Sequence, residues 1–185
     1  MRNSSLLAIT VTLLVTSVAS GAAEDNSKQP VAAKAIGQLG HEMRKKLTES
    51  LHKNGPAGAI DVCAKDAPAI SNRIENELGV TIKRTSLQVR NPQNSPDAAE
   101  LQLLGVLAAA HSAGEKLPQG VTVFPHNTRR FYKVIMMEQT CLKCHGDSTT
   151  MSEVVRKELA TLYPEDKAVG YKEGDFRGII SATVK

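Results

Sequence analysis

The chain has 185 residues, three cysteines, no Trp, an aromatic share of 3% and a formal net charge of +4. That length suits one compact domain with a lean apolar core. Its Lys and Arg are interspersed with acids, as on an ordinary solvated face, so the basic balance is too weak to argue for a nucleic-acid partner.

Residues 1–23 begin with Arg2, run through the apolar stretch 6–15 and end in the small residues Ser20, Ala22 and Ala23, any of which suits a cleavage position. This is the pattern of a signal peptide, and it predicts a periplasmic protein. The competing reading is an uncleaved membrane anchor, although the apolar run falls short of the about 20 residues a span needs. No cysteine lies near the cleavage region, which argues against a lipid anchor. The remainder, 24–185, is read as one domain. Loss of Arg2 takes its charge from +4 to +3.

In residues 29–51, Val31, Ala35, Leu39, Met43, Leu47 and Leu51 recur every four positions among charged residues, the pattern of an amphipathic helix. Asn54-Gly55-Pro56 should stop it. A second helical pattern carries Ile60, Cys63, Ala67, Ile70, Ile74 and Leu78, with Cys63 on the apolar side. Pro68 lies inside it and predicts a kink or a fresh helical start just after Cys63. The two helices should pack as an antiparallel pair. Residues 80–89 are β-branched and read as a strand. After a loop, Ser95 is the expected cap of a Leu- and Ala-rich helix reaching about residue 113, with Pro96 at its first position. Strands are expected over 121–125 and 129–137, turning at 126–128. Ser152 should cap a short helix with Val155, Leu159 and Leu162, and a last strand covers 179–184. The class is therefore α+β, with one antiparallel sheet, an N-terminal helix pair and flanking helices.

Between the third strand and the last helix stands Cys141-Leu142-Lys143-Cys144-His145-Gly146. Cys-x-x-Cys-His is the spacing of c-type haem attachment: two thiols add to the vinyl groups and the adjacent imidazole reaches the iron. A zinc site would need four ligands, usually from two such pairs, and no second pair exists. A redox dithiol would not require the histidine, and no βαβ context surrounds the motif. Export agrees with haem, because c-type haem is attached outside the cytoplasm.

His145 is the natural proximal ligand. The second axial donor is open among Cys63, Met43, Met136, Met137, Met151, His41, His52, His111 and His126. The methionines at 136 and 137 read as strand core, His41 and His52 as surface residues, His126 as a turn residue, and His111 as able to face the core. By spacing alone, Cys63 reads as a small buried hydrophobe, a role free cysteine often fills.

The segments AIDVCAKDAPAI (59–70), KRTSLQVRNP (83–92), CLKCHG (141–146), and YPEDKAVGY (163–171) followed by GDFRG (174–178) together resemble one family. It is the single-haem c-type cytochrome domain with a PAS-like fold, known from a cyanobacterial protein, and the likeness spans roughly residues 31–185. The resemblance implies a PAS-like sheet, one haem c held by Cys141 and Cys144, and axial ligation by His145 and Cys63. Arg84 and Arg90 lie in the family-like segments and are expected, ahead of Arg129 and Arg130, to pair with the propionates, since Arg offers carboxylates a bidentate fork. The alternative for these arginines is a solvated strand edge. Asp166 and Asp175 read as turn formers.

Thiolate ligation favours ferric iron, so a low-potential electron carrier heads the functional readings. A haem-based redox or gas sensor acting through a separate partner comes second, because a thiolate loosened on reduction would open a site for CO or NO. A peroxidase-like enzyme comes third, since two axial donors leave no open position. Related domains occur fused to signalling modules. This chain ends soon after its last strand, so any such output is expected to come from a partner.

Overall fold

The computed structural model describes residues 28–123 and 129–184. The signal-peptide reading, the far end of the 121–125 strand and the turn containing His126 lie outside these residues. The observed class is α+β, as the patterning predicts.

Helix α1, Lys28–Asp61, is interrupted at Gly55, whose φ of 69° takes the backbone out of the helix before Pro56 re-enters it. The expected stop is thus a kink. Proline lacks an N–H and fits the first turn of a helical segment, so the chain resumes there. The second expected irregularity falls at Val62–Asp66, a single π-helical turn that feeds helix α2, Ala67–Leu78. Pro68 sits in the first turn of α2, where its missing donor is harmless. The ion pairs Glu42 with Arg73 and Lys46 with Asp66 run in opposite senses along the two helices, so α1 and α2 are an antiparallel pair. Cys63 departs from its expected place on the apolar side. It lies within the π turn and is half-buried.

Strand β1 is Val80–Thr85, shorter than expected. It ends because Ser86 turns the chain, its hydroxyl donating to the Gln88 carbonyl at 2.7 Å. Helix α3, Ala98–Ser112, is capped by Asp97 and not by Ser95. Asp97 accepts from the Glu100 N–H at 2.9 Å while the Glu100 carboxylate accepts from the Asp97 N–H at 3.0 Å, so two orphan donors are satisfied reciprocally. Ser95 closes the preceding Pro92–Asn94 turn instead, donating to Pro92 O.

Strands β2 (Gly120–Val123), β3 (Arg130–Met136) and β4 (Phe176–Val184) complete one antiparallel sheet of order β1-β4-β3-β2. Its two faces follow from strand alternation. Val80, Ile82, Phe131, Ile180 and Ala182 meet Leu39, Met43 and Ile74 of the helix pair. Tyr132 and Ile179 meet Leu104 and Leu107 of α3. Each fully buried Leu or Ile contributes roughly 1.5–3 kcal/mol of transfer free energy. The helix pair is therefore fixed on its face of the sheet, and that fixes the π turn.

Past β3 the chain makes the turn Gln139–Cys141 and the one-turn helix α4, Leu142–His145. Helix α5, Glu153–Leu162, comes next with Ser152 as its cap, as expected. Val155, Leu159 and Tyr163 join Ile60 and Met151 in an apolar cluster that binds α5 to the end of α1, with Cys144 packed against it.

Candidate functional site

The motif turn is held from two sides. Met137 accepts from Gly174 N–H at 2.9 Å and donates to Asp175 O at 2.8 Å, carrying the β3–β4 pairing up to the motif. Beyond it, Gly170 N–H donates to Gly146 O at 2.8 Å and Tyr171 N–H to His145 O at 3.0 Å, so the loop 163–171 lies along the motif. A side chain at Gly146 would place its Cβ 2.6 Å from Leu142 O, so only glycine closes the turn this tightly.

Cys141 and Cys144 are free thiols, both half-buried, three residues apart on adjoining helical turns. That spacing puts them on one side of the turn. Burial pushes the Cys144 thiol up, Arg90 lowers it, and Cys63 raises it again. The same Cys63, after burial, raises the phenol of Tyr163, against Arg90 and Arg84. Cys63, Cys144 and Tyr163 therefore share one electrostatic neighbourhood, brought together from the π turn, α4 and the end of α5.

His145 places Nδ1 2.7 Å from the Ala168 carbonyl oxygen. A carbonyl only accepts, so Nδ1 carries the proton. Burial, then the charges of Arg90, Arg177 and Arg84, hold the imidazole well below the ordinary histidine range, with the Ala168 contact pulling the other way. The ring is neutral at physiological pH, and Nε2 keeps its lone pair for a metal. Tyr171 stands edge-on to this ring at 6.4 Å between centroids.

Three arginines surround the imidazole, and each has different partners. Arg90 is buried; Nε donates to Asp166 Oδ2 at 2.9 Å, and Nη2 donates to Cys144 O at 2.5 Å and to Ala168 O at 3.1 Å. Arg177 donates to Ser86 Oγ and Gln88 O and stacks over Tyr171 at 5.4 Å. Arg84 lies on the sheet face that meets the helix pair, opposite Ile180, and makes no hydrogen bond or ion pair among the described residues. Of the two arginines expected to meet propionates, Arg84 is thus open to a carboxylate, while Arg90 has two nitrogens committed inside the protein.

The remaining candidates are dispersed. His41 and His52 are exposed, Met43 is buried between α1 and the sheet, and Met137 is buried beside the loop 174–175. His111 lines a groove of about 350 Å³ with Leu87, Tyr171 and Arg177. Met151 does reach the site, but its thioether is buried in the wall against Cys144, beside an open cleft of about 480 Å³ bounded by Pro56 and Leu142. Asp166 and Asp175 both form turns, accepting from Ala168 N–H and Lys172 N–H. Asp166 also braces Arg90, a role its sequence position does not announce.

Reading by residue type misses Ala168, whose contribution is a backbone oxygen, and Arg177. The latter sits where the β3–β4 register jumps between the Ile135–Gly178 and Met136–Phe176 pairs. Such a bulge re-aims a side chain. The Arg-Gly pair in the last motif is the signal that was available. Gly178 has φ 151°, and a Cβ there would lie 2.3 Å from Thr85 O.

Two thiols on one turn, a neutral imidazole with a free Nε2 and an apolar wall behind Cys144 fit a covalently held haem. Among the described residues no three His, Cys, Asp or Glu side chains converge as a metal-ion cluster. Fold and donors together define an α+β domain built around a Cys-x-x-Cys-His turn. The chain belongs to the Tll0287-like family, which it matches over residues 21–185. Among solved structures it is similar to the cyanobacterial heme-protein Tll0287, with 22% identity and a TM-score of 0.65 over 87% of this chain and 94% of the other. That likeness shows the fold. No curated protein matches the chain.

Proposed function

We propose that this protein is an exported single-haem c-type cytochrome that works as a low-potential electron carrier in the periplasm. In this reading Cys141 and Cys144 would hold the haem by thioether bonds, and His145 Nε2 and the Cys63 sulfur would be the protein's donors to its iron. The observation that carries it is the locked His145 ring beside two free thiols, with a third cysteine in the same electrostatic neighbourhood. The heme-protein relative of the same fold supports the cofactor. The N-terminal pattern of residues 1–23 supports export.

The bound haem would supply one-electron exchange at iron. The residues do the rest. Ala168 O fixes the His145 tautomer, so the ring is ready to ligate without proton transfer. Cys63 is preferred to Met151 as the second donor because Met151 is packed into the wall, whereas the half-buried Cys63 belongs to none of the apolar clusters. An anionic sulfur donated by Cys63 would favour Fe(III) over Fe(II) and so give a low potential. Arg84 is the propionate partner, being the one of the three arginines without a hydrogen bond or ion pair among the described residues.

A sensor acting through a separate partner is the second reading, favoured by the π turn that carries Cys63. Such turns are uncommon and are frequent at functional sites. Difference spectra of reduced protein with and without CO separate the two. The carrier reading predicts a spectrum unchanged by CO over the time of reduction. Rapid, complete formation of a CO adduct would overturn it in favour of the sensor.

A further inference from the structure

The guanidinium of Arg90 joins two carbonyl oxygens that belong to different parts of the site. Cys144 O, at 2.5 Å, lies within the motif turn, and Ala168 O, at 3.1 Å, is also the acceptor of the His145 Nδ1 proton at 2.7 Å. Asp166 holds the fork in place from the other side, 2.9 Å from Nε, and its second oxygen accepts from Ala168 N–H at 2.8 Å. One buried ion pair therefore sets the distance between the turn carrying the second thiol and the peptide that orients the ring.

We propose that Arg90, braced by Asp166, is the positioning residue of the axial imidazole and tunes its strength as a donor. This role rests on the proposed ligation of iron by His145. Its physical basis is the shared acceptor. A carbonyl oxygen has two lone pairs, and a cation on one of them makes the other a poorer acceptor. The Nδ1–H bond of His145 is weakened accordingly, the ring donates less electron density through Nε2, and Fe(II) is disfavoured less than it would be otherwise. Asp166 acts in the opposite sense by offsetting the guanidinium charge. A lysine at position 90 keeps the charge but, lacking the planar fork, cannot hold both carbonyls and Asp166 at once.

The test is the midpoint potential of the haem-loaded variants R90K and D166N, with ferric spectra recorded alongside. R90K frees Ala168 O for His145 and should lower the potential. D166N removes the offsetting charge; the single amide oxygen of Asn keeps the acceptor for Ala168 N–H but not for Arg90 Nε, so the guanidinium, no longer offset, is left on its two carbonyl oxygens and the potential should rise. The expected displacement is about 59 mV in each direction, a tenfold change in the ferric-to-ferrous ratio for a one-electron couple. Potentials equal to wild type, or moving with the same sign, would overturn the proposal and leave Arg90 a structural clamp only. Should R90K fail to acquire haem, D166N decides alone: a higher potential supports the proposal, and an unchanged or lower one refutes it. A His145→Ala control separates the two layers. If it leaves the wild-type spectrum intact, ligation by His145 is wrong. If it alters the spectrum while R90K and D166N keep the wild-type potential, only the role of Arg90 is wrong.

Discussion

Replacing Cys141 and Cys144 together by serine should reduce covalent haem to background, measured as the haem absorbance that stays with the polypeptide after acid–organic extraction. Serine matches cysteine closely in size and preserves the turn, whose closure depends on Gly146 and on the 2.8 Å bond from Gly170 N–H to Gly146 O. The substitution removes the nucleophilic sulfur needed to bond a vinyl carbon. The two single variants should each retain one thioether and a shifted spectrum. The Cys144→Ser variant should also be the less stable, because it places a hydroxyl against Ile60, Met151 and Tyr163. Because the site is only half-buried and Pro56 O lies 4.0 Å from the sulfur, the loss should stay at or below about 1 kcal/mol, the low end for a buried polar group. Extraction-resistant haem in the double variant would remove the attachment chemistry from this account.

The second large effect is expected at Cys63. Cys63→Ala should raise the midpoint potential by on the order of 100 mV, well inside the roughly 0.8 V over which axial ligands set haem potentials. The sign follows from charge. An anionic sulfur replaced by water, or by a neutral thioether such as that of Met151 from the wall behind Cys144, would leave iron with less stabilisation of the ferric state. In either case the potential rises, so repacking of the wall does not rescue the wild-type value. The helix itself should survive, because alanine is a good helix former and Cys63 lies outside the packed clusters. A potential equal to wild type would show that Cys63 is only a small half-buried residue.

Much of this arrangement is legible in the amino-acid sequence. Periodicity locates the helix pair, and the rule that proline opens but does not continue a helix points to both interruptions, at Gly55 and at the turn Val62–Asp66 that contains Cys63. The Cys-x-x-Cys-His spacing locates the turn. The choice of Asp97 over Ser95 as a helix cap is less accessible, since both precede a plausible first turn and the contest is decided by the reciprocal bond to Glu100. Helical spacing also puts Cys63 on the buried side, whereas on the π turn it is half-buried, while Ala67, Ile70 and Ile74 beyond it are buried as the spacing predicts. The identity of the residue that orients His145 is beyond reach for a different reason. It is a backbone oxygen of Ala168, brought to the ring by a loop whose path depends on Arg90 and Asp166, seventy-six positions apart. An arginine's charge invites a propionate in the sequence, and only the folded chain reveals that Arg90 is already engaged while Arg84, among the described residues, makes no hydrogen bond or ion pair.

The claim on which the rest depends is that Cys63 and His145 face the same iron. The ferric electron paramagnetic resonance spectrum of the purified protein tests it most directly, because the axial donors set the anisotropy of low-spin iron. Thiolate and imidazole together predict a compact rhombic low-spin signal that disappears in Cys63→Ala. A widely spread signal of two neutral donors in the wild-type protein, or a signal that Cys63→Ala leaves unchanged, would contradict it.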